Sequence, residues 1–90
     1  MEVPAKRVAE FEDMKSPGDF VWHFNENNDP TQMTFLCPCG CGAYLGVSVA
    51  GKVAWEWNQD LEKPTTTPSI RYLDGCHWHG YLTDGVFRSC

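Results

Sequence analysis

The chain reads as a mainly β, small α+β protein: an antiparallel β domain with a short N-terminal helix, stabilised by a zinc site. Three observations predict this. From Phe20 onward, short aromatic and β-branched runs alternate with turn clusters. Apolar residues at helical spacing occur near the start, at Val8, Phe11 and Met14. Five cysteines and two histidines fall in three short clusters: Cys37-Pro38-Cys39-Gly40-Cys41-Gly42, Cys76-His77-Trp78-His79, and Cys90. At 90 residues a single domain buries a modest core, so a metal staple is physically useful.

The elements follow in order. Residues 1–18 form a helix or arm, with the helix over 5–15 closed by the turn residues Ser16-Pro17-Gly18-Asp19. Residues 19–90 form the β core. Phe20-Val21-Trp22-His23-Phe24 is a strand, and Asn25 to Pro30 is a turn. Gln32–Leu36 leads into the first cysteine cluster and Ala43–Val49 leads out, so Cys37–Gly42 caps a hairpin. Val53-Ala54-Trp55-Glu56-Trp57 alternates as a strand does. The segment Lys63–Ile70 contains Pro64 and Pro68, which places it at an edge or in a loop. Gly80-Tyr81-Leu82, Thr83-Asp84-Gly85 and Val86-Phe87-Arg88 form a hairpin with Asp-Gly in its turn. That hairpin returns the chain toward Cys76–His79 and brings Cys90 within reach of it.

Composition excludes several functions. Charged residues are 21% and hydrophobic residues 42%, values of a folded chain rather than a disordered one. The net charge is −5, with seven acids against three bases in residues 1–30. An acidic chain without a basic stripe is a poor nucleic-acid binder, because phosphate contacts need clustered Lys and Arg. The four Trp, three Tyr and five Phe are core material for a small domain rather than a base-stacking platform. No apolar run approaches the roughly 20 residues that span a bilayer. The first residues also lack the apolar core of a signal peptide, so a cytoplasmic location is expected.

In a reducing compartment, clustered cysteines read as metal ligands before disulfides, and the odd count fits a disulfide framework poorly. Zn²⁺ takes four S or N donors in a tetrahedron, commonly as two local pairs. The expected metal ligands are drawn from Cys37, Cys39, Cys41, Cys76 and His79. His79 stands at the ligand-pair spacing Cys76-x2-His79. His77, adjacent to Cys76, points to the opposite face of an extended chain. Cys90 is as fit for a free thiol as for a ligand, and His23 reads as an ordinary strand residue. Patterns of zinc hydrolases and deaminases, His-Glu-x2-His and His-x-Glu with Pro-Cys-x2-Cys, are absent. Glu56 and Asp74 are the nearest acids by sequence, and no catalytic residue is assigned.

The series Cys37-Pro38-Cys39-Gly40-Cys41-Gly42, Trp55-x-Trp57, Pro64-Thr65-Thr66-Thr67-Pro68-Ser69-Ile70, Cys76-x2-His79, Asp84-Gly85 and Cys90 resembles a family of small phage and bacterial proteins, some labelled ammonia monooxygenase. The resemblance spans Phe35–Cys90. It implies a metal site and a phage or prophage origin, and so the host cytoplasm, with no established activity. Thiolate-rich ligands do not suit the oxygenase label, since such centres use histidine or carboxylate with open positions.

The expected function is a zinc-stabilised module that binds a protein partner, a host or defence protein if the chain is phage-encoded. The alternative is a zinc-dependent hydrolase of a small molecule or nucleotide with a solvent-bound metal. A thiol redox protein is a third reading.

Overall fold

Turn chemistry sets the frame. In the computed structural model, which describes residues 2–52, 54–72 and 75–89, strands β1 (Glu2–Pro4), β2 (Lys6–Arg7), β3 (Asp19–Phe24), β4 (Pro30–Leu36) and β5 (Tyr44–Ser48) come first. Then follow β6 (Glu56–Trp57), β7 (Thr66–Arg71), β8 (His79–Thr83) and β9 (Val86–Ser89). Val53, Asp74 and Cys90, which figure in the expectations above, lie outside the described residues.

Strands β3, β4 and β5 pair antiparallel as a meander. Between β3 and β4 the Asn25 side-chain oxygen accepts from the N–H groups of Asn27 and Asp29 at 2.9 and 3.0 Å, a local asparagine turn. The β8–β9 turn has Asp84 and Gly85 at φ 48° and 73°, the left-handed pair that a two-residue hairpin with native twist requires. Both hairpins expected from sequence are therefore present.

The strands form a five-stranded sheet, β1-β9-β8-β7-β6, and a four-stranded sheet, β2-β3-β4-β5. One face of each supplies a shared core. Phe20, Trp22, Met33, Phe35, Leu45 and Val47 of one sheet meet Ile70, Leu82 and Phe87 of the other, with Trp78 between. Phe35 stacks on Phe87 across the sheets with ring centroids 4.6 Å apart. Trp78 meets Phe87 edge-on at 5.9 Å, and its indole N–H donates to Ser89 Oγ at 2.9 Å. Such aromatic pairs contribute about 0.5–1.5 kcal/mol beyond the area they bury.

The expected N-terminal helix is corrected. Residues 5–15 hold β2 and one 3₁₀ turn at Phe11–Asp13 instead. Three helical turns are marginal alone, and here the backbone has better partners. Ala5 N–H donates to Gly85, Lys6 to Gly18 and Val8 to Phe20. Met14 and Val8 still use their apolar side chains, covering Val21 and Leu36 on the outer face of β3 and β4.

The two-proline segment also differs from expectation. β7 lies inside the sheet, between β6 and β8. Its pairing with β8 breaks register between Thr66 and Ile70, so Pro68 falls where no ladder bond is asked of it. β6 is only two residues long and covers Thr66 and Thr67 alone. Among the described residues no helix is long and apolar enough to cross a membrane.

Candidate functional site

The tip of the β4–β5 hairpin is built to gather sulfur. Cys37 N–H closes the hairpin on Ala43 O at 2.8 Å, and Gly40 N–H turns back to Cys37 O at 3.1 Å. Gly40 and Gly42 take φ 88° and 86°, a left-handed backbone open to glycine without steric cost. This curl brings three thiols to one point. The fourth arrives from the other sheet, on the connection between β7 and β8. The sulfurs of Cys37, Cys39, Cys41 and Cys76 all lie within 4.8 Å of one another.

Cys37 Sγ is 3.2 Å from Cys39 Sγ and 3.4 Å from Cys76 Sγ. A disulfide would hold them at about 2.05 Å, so these are four free thiols. A tetrahedral thiolate site with metal–sulfur bonds of about 2.3 Å has edges of about 3.8 Å. The cluster is of that size, and four soft donors can hold a metal ion there. Cys37 is buried in the shared core while the other three are exposed.

The protons are shared unevenly. Hydrogen bonds from Cys39 and then Cys37 pull the Cys76 thiol down to about 7. Burial pushes Cys37 well above the ordinary thiol range. Cys39 accepts from Cys37, which lowers it, but its bond toward Cys76 and burial outweigh that and leave it raised. A bound cation displaces these protons, since the ligand is the thiolate.

The fifth expected ligand, His79, is not brought to this group. After Cys76 the chain passes through His77 at φ 56° and then buries Trp78. It enters β8 with Gly80 and Leu82 facing the core and His79 on the outer face. There His79 Nε2 lies 3.0 Å from Ser69 Oγ on β7. The expected spacing Cys76-x2-His79 is real, but strand parity aims the ring elsewhere. His77 is exposed and lies outside the thiol group, and His23 bonds Thr34 Oγ1 at 2.8 Å. Glu56 is bonded to Thr67, whose hydroxyl donates to it at 3.4 Å, and does not belong to the sulfur cluster.

Ser69 is a residue that sequence reasoning passed over. It stands in no nucleophile motif, and its partner lies ten positions away, on the next strand. Its setting is ordered: the Trp55 indole N–H donates to its carbonyl at 3.3 Å. Among the described residues this is the one serine in hydrogen-bond contact with a histidine. A serine hydroxyl donating to an imidazole nitrogen is the arrangement that activates a nucleophile. It requires the ring proton on Nδ1.

A family model described as the bacterial ubiquitination-like system serine protease (BubE) matches residues 7–90. This agrees with the bacterial side of the resemblance read from the motifs. No curated protein and no solved structure matches the chain.

Proposed function

The chain belongs to the BubE family, whose model covers residues 7–90, and from that premise we propose that it is a serine peptidase whose outer sheet face carries the chemistry and whose cysteines hold a structural zinc. The observation that carries this reading is the 3.0 Å contact between Ser69 Oγ and His79 Nε2. Ser69 is the nucleophile and His79 the general base. The protein partner expected from sequence becomes the substrate.

The step balances on these two groups. Ser69 Oγ bonds to the carbonyl carbon of the scissile peptide while its proton passes to His79 Nε2. As the carbon–nitrogen bond breaks, His79 returns that proton to the leaving amine. Water then attacks the ester, giving one proton to His79. The ester bond breaks and Ser69 recovers its hydrogen, releasing a carboxylic acid.

The zinc would be held by Cys37, Cys39, Cys41 and Cys76, and what it supplies is folding energy rather than a reacting water. Four thiolates complete a tetrahedron, whereas a hydrolytic zinc keeps one position open. This argues against the zinc-hydrolase alternative. Cys76 lies three residues before His79, so a metal holding Cys76 also holds the approach to the base.

A fluorophosphonate reagent tests the assignment, because it bonds covalently to an activated serine. The zinc-loaded protein should be labelled at Ser69, located by peptide mass. Ser69→Ala should lose the label and keep its melting temperature. Labelling at another serine, or none, would overturn the reading.

A further inference from the structure

Arg71 stands directly opposite His79 in the β7–β8 register. It lies two residues beyond Ser69 on the same outer face, because Ile70 between them points into the core. Neighbouring bonds define the backbone here. Tyr72 N–H donates to Trp78 O at 2.8 Å, so the next pair along, Arg71 with His79, is the kind that exchanges no ladder bonds. Arg71 therefore directs its own N–H and C=O away from β8. The side chains of such a pair also lie closest together. Ser69 follows the same parity, its carbonyl reaching the Trp55 indole on that far side.

β6 does not cover this stretch. Among the described residues its pairing with β7 ends at Thr66 and Thr67. Among the described residues no strand pairs with Arg71 on that side, while the Ser69 carbonyl there is held by the Trp55 indole, so the edge on which an extended peptide can add as a strand begins at Arg71. The side chain above it is exposed, and among the described residues it makes no ion pair.

We propose that the substrate lies extended along the open edge of β7 and that Arg71 selects a carboxylate beside the scissile bond. This rests on the assignment of Ser69 above. The guanidinium offers a planar fork matched to a carboxylate, which a lysine lacks. The charge pattern makes the preference one-sided. Two residues before Ser69, Thr67 is bonded to the carboxylate of Glu56. Arg71 on β7 and Glu56 on the neighbouring β6 therefore lie to either side of the nucleophile, and the acidic residue belongs on the Arg71 side only. On a chain of net charge −5, a local cation beside the nucleophile favours an acidic residue there.

The experiment uses the zinc-loaded full chain and internally quenched decapeptides, with Glu or Gln scanned through every position. One position should favour Glu over Gln by about tenfold in kcat/KM, mostly through KM, the scale of a charge-assisted hydrogen bond. Arg71→Met should erase that ratio, and Arg71→Lys should restore part of it. Equal rates for Glu and Gln at every position, with Ser69 still labelled by fluorophosphonate, would overturn the role of Arg71 alone. A ratio that survives in Arg71→Met would do the same. Absence of both labelling and cleavage would remove the Ser69 assignment and this inference together.

Discussion

Single atoms carry different burdens in this molecule. At Ser69 the whole of the proposed chemistry rests on one oxygen, so Ser69→Ala should lower cleavage at least about 10³-fold without unfolding the protein. His79→Ala should do nearly the same, because the two act as a unit. Double substitution should then cost little more than either single one. Thr66 offers a contrasting case. Its hydroxyl is buried and, among the described residues, has no hydrogen-bond partner. A buried unmade bond costs about 1–3 kcal/mol, and Thr66→Val keeps the shape while removing the oxygen. Its melting temperature should be equal or higher, by calorimetry, with fluorophosphonate labelling retained.

Among the elements, β8 has no room for a side chain at Gly80. A Cβ built on Gly80 would meet the backbone oxygen of Arg88 and lie 2.6 Å from the Trp78 ring. Neither can withdraw cheaply: one is strand backbone, the other is core. Gly80→Ala should destabilise by about 1–3 kcal/mol, the usual cost of overpacking, read as a lower denaturant midpoint. It should also disturb His79 next to it. Legibility from sequence differs element by element. The Asp84-Gly85 hairpin was readable because its turn chemistry is local to two residues. The sulfur-bearing tip was readable because Gly40 and Gly42 mark where the backbone curls. β7 was not, because a proline's cost depends on whether its neighbour asks for a bond at that site. The N-terminal helix failed for a related reason: an isolated stripe cannot reveal the strand edges that compete for its backbone. The Ser69–His79 contact was not legible, since the register that sets it includes a break between Thr66 and Ile70 that only the paired strands define.

For the molecule as a whole, a metal held by the four thiols would be a tie between sheets. Cys37 and Cys76 are 39 residues apart in sequence and belong to different layers. A structural zinc can contribute on the order of 10 kcal/mol to a small domain. Chelation should therefore lower the melting temperature sharply and abolish Ser69 labelling, and re-addition of zinc should recover both. Acidification should release the metal too, because protons compete for the same sulfurs. The check is a colorimetric zinc titration alongside the melt. An unchanged melt after complete removal would deny the tie its structural role.

The same tie bears on how the protein breathes. Gly40 N–H, bonded within the hairpin tip, and Tyr72 N–H, bonded to Trp78 across β7 and β8, share no hydrogen bond and sit in separate layers. Left to themselves, two such turns would open on independent clocks, as local fluctuations usually do. A single ion holding sulfurs of the hairpin tip and of Cys76 would couple their opening. In deuterium exchange, these amides should therefore show one common protection factor in the metal-loaded protein. They should separate once the ion is withdrawn, the exposed tip exchanging first.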